Sequence, residues 1–177
     1  MKLLLHCCCA PCSIQCVSSL GKENIIPELF WYNPNIEVST EHLQRRQTLV
    51  TFAEENNLGL IESSIRNPLG LNGAKGVRCN ICYEERLKET IMTAKERGFD
   101  AFSTTLLISP YQDHDLIRVT AEHFAKKYDI VFYYKDFRDF FWEGQREARA
   151  KNYYMQKYCG RRASFRERYG EGIELKK

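Results

Sequence analysis

The feature that most restricts the fold of this chain is a regular alternation of short apolar runs with longer amphipathic ones. Residues 2–7, 25–32, 58–63, 101–104 and 130–134 are brief and rich in leucine, isoleucine or aromatic residues, which predicts buried strands. Between them, residues 12–20, 40–56, 81–97 and 115–128 carry apolar positions at helical spacing, with Leu43, Leu49, Phe52 and Ala53 expected as the inner stripe of the second helix. Strand and helix in alternation imply an α/β domain, a mostly parallel sheet with helices on both faces. Residues 66–78 read as a loop rich in Asn and Gly. Beyond about residue 140 the chain reads as helical and basic, broken near residues 159–160. With 177 residues, one domain spanning 1–177 and one core are expected.

In a sheet of this kind, sites form beyond the carboxyl ends of the strands. Cys8 and Cys9 follow the first strand, Ser103, Thr104 and Thr105 end the fourth, and Asp136 and Arg138 follow the fifth. All are expected to face one crevice. A nucleotide-binding protein would carry a glycine-rich loop after strand one; this chain carries cysteines there instead, which argues against ATP or a dinucleotide at that position.

There are eight cysteines: Cys7, Cys8, Cys9, Cys12, Cys16, Cys79, Cys82 and Cys159. Three are adjacent, a poor arrangement for disulfides. No apolar run is long enough to span a membrane. The opening Met1-Lys2-Leu3-Leu4-Leu5 is too short for a signal peptide, so a cytoplasmic, thiol-reducing setting is expected. Clustered thiols in that setting point to metal or redox chemistry. Cys8-Cys9-Ala10-Pro11-Cys12 and the pair Cys79-Asn80-Ile81-Cys82, expected in the loop before helix three, are each able to turn two thiolates toward one centre. Spacing by itself leaves structural zinc and an iron–sulfur cluster both open. Cys7 is expected to face the core, and Cys16 to serve as a small buried apolar residue.

Net charge is +3, but the segment after residue 145 is much more basic, with Arg146, Arg149, Lys157, Arg161 and Arg162 interleaved with Tyr153, Tyr154 and Tyr158. Such a segment is able to track a phosphate backbone and stack on bases. A solvated helix face with inward-packed aromatics is the alternative.

These motifs, taken together, resemble the QueH-type epoxyqueuosine reductases. The resemblance is carried by His6-Cys7-Cys8-Cys9-Ala10-Pro11-Cys12-Ser13, by Tyr32-Asn33-Pro34-Asn35-Ile36, by Glu41 and Arg45, and by Arg78-Cys79-Asn80-Ile81-Cys82-Tyr83-Glu84-Glu85-Arg86-Leu87. It continues through residues 102–112, Asp136-Phe137-Arg138 and residues 154–160. It implies a fold akin to the adenine nucleotide α-hydrolases. It also implies reduction of epoxyqueuosine to queuosine at the wobble position of tRNA, the last step of queuosine synthesis, with an external electron donor. Cys8, Cys9, Cys79 and Cys82 would hold a [4Fe–4S] cluster, with a further iron beside it for which Cys12 and Cys159 are the candidate ligands. Many members end the last motif as Cys-Gly-Cys. Here it reads Cys159-Gly160-Arg161, so no disulfide can form across Gly160.

Opening an epoxide to an alkene with loss of water takes two electrons and two protons. Candidate proton donors are His6, Tyr111, Asp113 and Asp136. The alternative for His6 is a satisfied buried histidine, and for Asp113 the start of helix four. The rival reading is a zinc- or thiol-based nucleic-acid-binding module without catalysis.

Overall fold

In the computed structural model, which describes residues 1–65 and 75–170, the first strand, β1 (Leu3–His6), lies at the centre of a five-stranded sheet. Its leucines are 0–1% exposed, which explains why the run is apolar on every residue rather than on alternate ones: helices cover both faces. The other strands are β2 (Glu28–Trp31), β3 (Leu60–Glu62), β4 (Ala101–Thr104) and β5 (Val131–Phe132). They run in the order β3-β2-β1-β4-β5, all parallel. The direction of winding reverses between β1 and β4, so the crevice for a ligand opens beyond their carboxyl ends. Of the loop predicted at residues 66–78, residues 66–74 lie outside the described residues, as do residues 171–177, and residues 75–78 are helical.

Among the described residues, six helices accompany the sheet: α1 (Ala10–Gly21), α2 (Ser39–Glu55), α3 (Lys75–Glu96), α4 (His114–Tyr128), α5 (Phe141–Ala150) and α6 (Arg162–Tyr169). Short 3-10 turns at Thr105–Ile108 and Arg138–Phe140 lead out of β4 and into α5. Among the described residues, no helix is long and apolar enough to cross a membrane.

Two expectations about the helices are corrected. Helix α3 starts at Lys75 rather than near residue 81, so Cys79 and Cys82 stand in its first turns and not in a preceding loop. The reason is its inner face: Tyr83, Leu87, Thr90, Ile91 and Ala94 are at most 2% exposed, and this stripe extends backward through Cys82 and Cys79 at the same helical spacing. In α2, Leu43 is not part of the inner stripe; it is 55% exposed. Two residues along a helix turn through about 200°. The buried face is therefore Glu41, Arg45, Leu49, Phe52 and Ala53, and it includes a buried ion pair that a search for apolar residues passes over.

The basic C-terminal portion packs on the sheet domain through α5 against α1. A Cβ at Gly144 would stand 3.2 Å from the Pro11 carbonyl oxygen, so this crossing depends on a residue without a side chain.

Candidate metal centre

The chain leaves β1 at His6 and enters α1 at Ala10, with Cys7, Cys8 and Cys9 in the turn. Cys9 is the N-cap, in an extended conformation, and Pro11 occupies the first turn, where its missing N–H costs nothing. Cys8 and Cys9 are thus held at the positive end of a helix, which favours thiolates there. Their sulfurs are 3.8 Å apart, and those of Cys8, Cys9 and Cys12 all lie within 4.8 Å of one another. The Thr105 hydroxyl, from the end of β4, donates to Cys8 Sγ at 3.4 Å and accepts from the Cys8 amide at 3.1 Å. The Cys12 and Cys9 thiols donate to Cys8 and, with the Arg86 charge, hold its pKa well below the ordinary thiol value. Cys12 is pushed up because its neighbours Cys8 and Cys9 compete for the charge, and Cys9 is pushed up by burial.

Cys7 faces the other way: it is wholly buried, bonded to the Leu5 carbonyl, and burial pushes its pKa up to about 12. Cys16 is likewise buried in the core. Both are structural.

The distant pair arrives from α3. Cys8, Cys12, Cys79, Cys82 and Cys159 line one cavity of about 60 Å³. Among the described residues, its remaining charged lining consists of Arg45, Arg78, Arg86 and Arg161, with no carboxylate. Arg45 is paired with Glu41 at 2.5 Å and Arg78 with Glu167 at 2.6 Å. Arg86 is 4% exposed; among the described residues no carboxylate stands within ion-pair reach of it. Its guanidinium donates to Asn33 Oδ1 at 2.6 Å, to His6 Nε2 at 3.4 Å and toward Cys82 Sγ at 3.9 Å. A buried cation without a carboxylate calls for an anion. The Cys8 sulfur, whose thiol is held acidic partly by Arg86, is what the cavity offers.

Sequence reasoning missed Arg86, Tyr83 and Arg45. The signal was present: once Cys79 and Cys82 are placed on a helix, Tyr83 and Arg86 follow each by four residues and share their face. Tyr83 donates from its hydroxyl to Gln112 Oε1 at 2.7 Å, and burial raises its pKa.

Cys159 reaches the mouth of the cavity on a backbone clasp. Arg45 Nη2 donates to the Tyr158 carbonyl at 2.8 Å, Asn35 Nδ2 to the Cys159 carbonyl at 2.7 Å, and the Glu37 amide to the Gly160 carbonyl at 3.0 Å. Gly160 has φ +108, and a Cβ there would meet Ile36 Cγ1 at 2.8 Å.

Other predicted site residues lie elsewhere. None of His6, Tyr111, Asp113 and Asp136 lines the sulfur cavity. His6 is fully buried in β1, paired through Nδ1 with Thr104 Oγ1 at 2.8 Å, and burial lowers its pKa to about 3. Tyr111 is 73% exposed and edge-on to Phe141. Asp113 caps α4 by accepting from the Leu116 amide at 3.1 Å. Asp136 and Arg138, expected at the crevice, are instead locked to each other at 2.6 Å beside His114. The strand they follow, β5, is at the edge of the sheet, with β4 between it and β1. Arg146, Arg149, Lys157 and Arg162 are exposed, but Arg161 is 5% exposed and faces the cysteines, so it is withdrawn from the surface set. Tyr153 and Tyr154 turn their hydroxyls inward to Glu55 and Glu41.

The family model described as "Epoxyqueuosine reductase QueH" matches residues 3–167. This chain belongs to that family. An epoxyqueuosine reductase QueH of Dehalococcoides mccartyi is 32% identical over 96% of this chain and 96% of its own length. That of Histophilus somni is 32% identical, covering 90% of this chain and 70% of its own. That of Thermotoga maritima is 29% identical, covering 98% and 95%. The backbone also overlays on a deacetylase of teicoplanin biosynthesis at TM-score 0.49 and 11% identity, over 75% of this chain and 65% of that one, a likeness too loose to bear on function. For the QueH family, the sulfur-lined cavity is the natural place to seek chemistry.

Proposed function

We propose that this chain reduces epoxyqueuosine to queuosine in the anticodon loop of tRNA, using an iron–sulfur centre held by its cysteines. The observation that carries this reading is the convergence of five cysteines on one cavity whose charged walls, among the described residues, are arginines. That donor set fits a cluster: soft sulfur ligands, no hard carboxylate, and a buried guanidinium to offset the anionic charge. Cys8, Cys9, Cys79 and Cys82 would hold a [4Fe–4S] cluster, with Cys12 and Cys159 beside them for a further iron. Bound there, such a centre would supply electrons one at a time and a Lewis-acidic site for the epoxide oxygen.

The protein's own groups do the rest. Thr105 and Arg86 fix the Cys8 and Cys82 sulfurs by hydrogen bonds. Two electrons and two protons convert the epoxide to an alkene and water. With Cys159 assigned to the further iron, the Tyr83 and Ser109 hydroxyls are the protic groups that take the place of the four donors expected from sequence. Gln112 orients Tyr83, and the clasp on residues 158–160 orients Cys159. Exposed Arg146, Arg149, Lys157 and Arg162 would meet the RNA backbone.

The test is anaerobic. Protein reconstituted with iron and sulfide, given dithionite and tRNA bearing epoxyqueuosine, is expected to form queuosine. A brown, cluster-loaded protein that leaves the epoxide intact would refute the reading. A colourless protein that binds zinc and RNA would favour the binding-module alternative.

A further inference from the structure

Helix α5 buries one face against the domain and leaves the other without a stated use. Phe141, Gly144 and Ala148 are buried, where the helix meets α1. Trp142, Arg146 and Arg149 follow one another at spacings of four and three residues, so they form one line on the outer face. All three are exposed, Trp142 at 58%. The solvent face of a helix is ordinarily polar, and a tryptophan there adds little to the fold.

A second exposed ring stands close by. Tyr111 is 73% exposed, on the loop between β4 and α4. Its ring lies 5.8 Å from that of Phe141 at 81°, and Phe141 lies 5.0 Å from Trp142 at 75°. Phe141, itself buried, is the anchor between two rings that face water. Rings braced in this way give up little further freedom when a flat group stacks on them.

Position ties this patch to the sulfur cavity. Ser109 and Gln112, on either side of Tyr111, line that cavity. Gln112 Oε1 accepts from the Tyr83 hydroxyl at 2.7 Å, which pins the loop to α3. Tyr111 therefore stands at the edge of the cavity, and α5 begins beside it. Gly144 sits on the Pro11 carbonyl and Glu147 reaches Gln15, so α5 runs along α1 away from the cysteines. From Trp142 to Arg149 the line extends about 10 Å.

Charge selects the partner. Among the described residues, neither Arg146 nor Arg149 has an ion-pair or side-chain hydrogen-bond partner, whereas Lys151, just beyond them, is taken by Glu55 at 3.0 Å. The neighbouring Glu143 turns about 100° away from Trp142 around the helix. Two uncommitted cations in line with two exposed rings suit a ligand that repeats a flat group and an anion. An unpaired RNA strand is such a ligand, with bases that stack on aromatic rings and phosphates that meet arginines.

Resting on the function proposed above, we infer that Tyr111 and Trp142 are the platform on which unpaired bases of the anticodon loop stack, with Arg146 and Arg149 on the adjoining phosphates. The strand held there is the one that leads away from the reacting nucleotide, because the patch starts at the cavity edge and departs from it. Tyr111 is thus a positioning residue for the RNA, in place of the proton donor expected from sequence.

The test measures binding of an anticodon stem–loop RNA, dye-labelled on its stem, to iron-loaded protein by fluorescence anisotropy. Tyr111→Ala and Trp142→Ala should each weaken binding about tenfold, the loss of one stacked base. Tyr111→Phe should keep wild-type affinity, since stacking needs the ring and not the hydroxyl. The slope of log affinity against log salt should be unchanged in the ring variants and shallower by about 0.7 in each of Arg146→Ala and Arg149→Ala. Ile26→Ala, at an exposed apolar residue before β2 at the opposite end of the sheet, should change nothing. These side chains are exposed, so visible absorbance and melting temperature should stay at wild-type values; the arginine slopes carry the test if a ring variant proves unstable. Wild-type RNA affinity in both ring variants, or unchanged slopes in both arginine variants, overturns the inference, marks the patch for a protein partner and leaves the reductase reading standing. A loss in Tyr111→Phe equal to that in Tyr111→Ala also overturns it. Failure of the wild type to bind the RNA overturns both.

Discussion

Gly160→Ala tests the clasp that presents Cys159. The residue has φ +108, a conformation costing a side-chain-bearing residue ~1–3 kcal/mol. The new Cβ would also stand 2.8 Å from Ile36 Cγ1 and 3.1 Å from Ile36 Cα. The second contact is with backbone, so no rotamer change relieves it, and such overpacking costs a further ~1–3 kcal/mol. Against this, the segment is held by three main hydrogen bonds, from Arg45, Asn35 and the Glu37 amide. At about 1 kcal/mol each, they are comparable to the strain. The segment should therefore detach before the domain unfolds. Trypsin is the assay, since Lys157 and Arg162 flank the clasp and are exposed. Cleavage there should quicken at least ~10-fold, the consequence of 1.4 kcal/mol or more lost from local closure. The melting temperature of the domain should fall by only a few degrees. Wild-type digestion rates would mean that the left-handed backbone at residue 160 carries no strain for alanine and that the clasp does not depend on glycine.

Three further outcomes are expected. Cys79→Ala and Cys82→Ala should each lose bound iron and absorbance in the visible, while Cys16→Ala, in the core behind the cavity, keeps both; iron analysis of purified protein decides it. Arg45→Met strands the buried Glu41 and should destabilise by ~3–5 kcal/mol in denaturant melts, whereas Glu41→Leu with Arg45→Leu should recover part of the loss. Burial lowers the pKa of His114, so the ring stays neutral in the fold while the unfolded chain takes up a proton below about 6.5. The stability this supplies is full above that pH and is withdrawn as pH falls toward the lowered value. His114→Gln should flatten the decline of stability in that window, and an unchanged slope would show that His114 is not its source.

The order of strands and helices, the mostly parallel sheet and the family were legible in the sequence, because they depend on local patterns. Leu3-Leu4-Leu5 reads as a strand buried on both faces, and a run of cysteines in place of glycines after it points to metal or redox chemistry. The tertiary structure decided what needed distance. Whether residues 79 and 82 preface a helix or stand on it depended on an inner face continuing backward through Cys82, which only packing against the sheet reveals. Arg86 and Arg161 look like surface charges in the sequence, yet both are buried, since side chains that turn into a cavity built from several elements carry no local mark of it. Asp136 looked catalytic from its place after a strand, but a neighbour two residues away captured it. Secondary structure arises among residues close in the chain, whereas this sulfur cavity is assembled from α1, α3 and residue 159, segments that meet only when the sheet has formed.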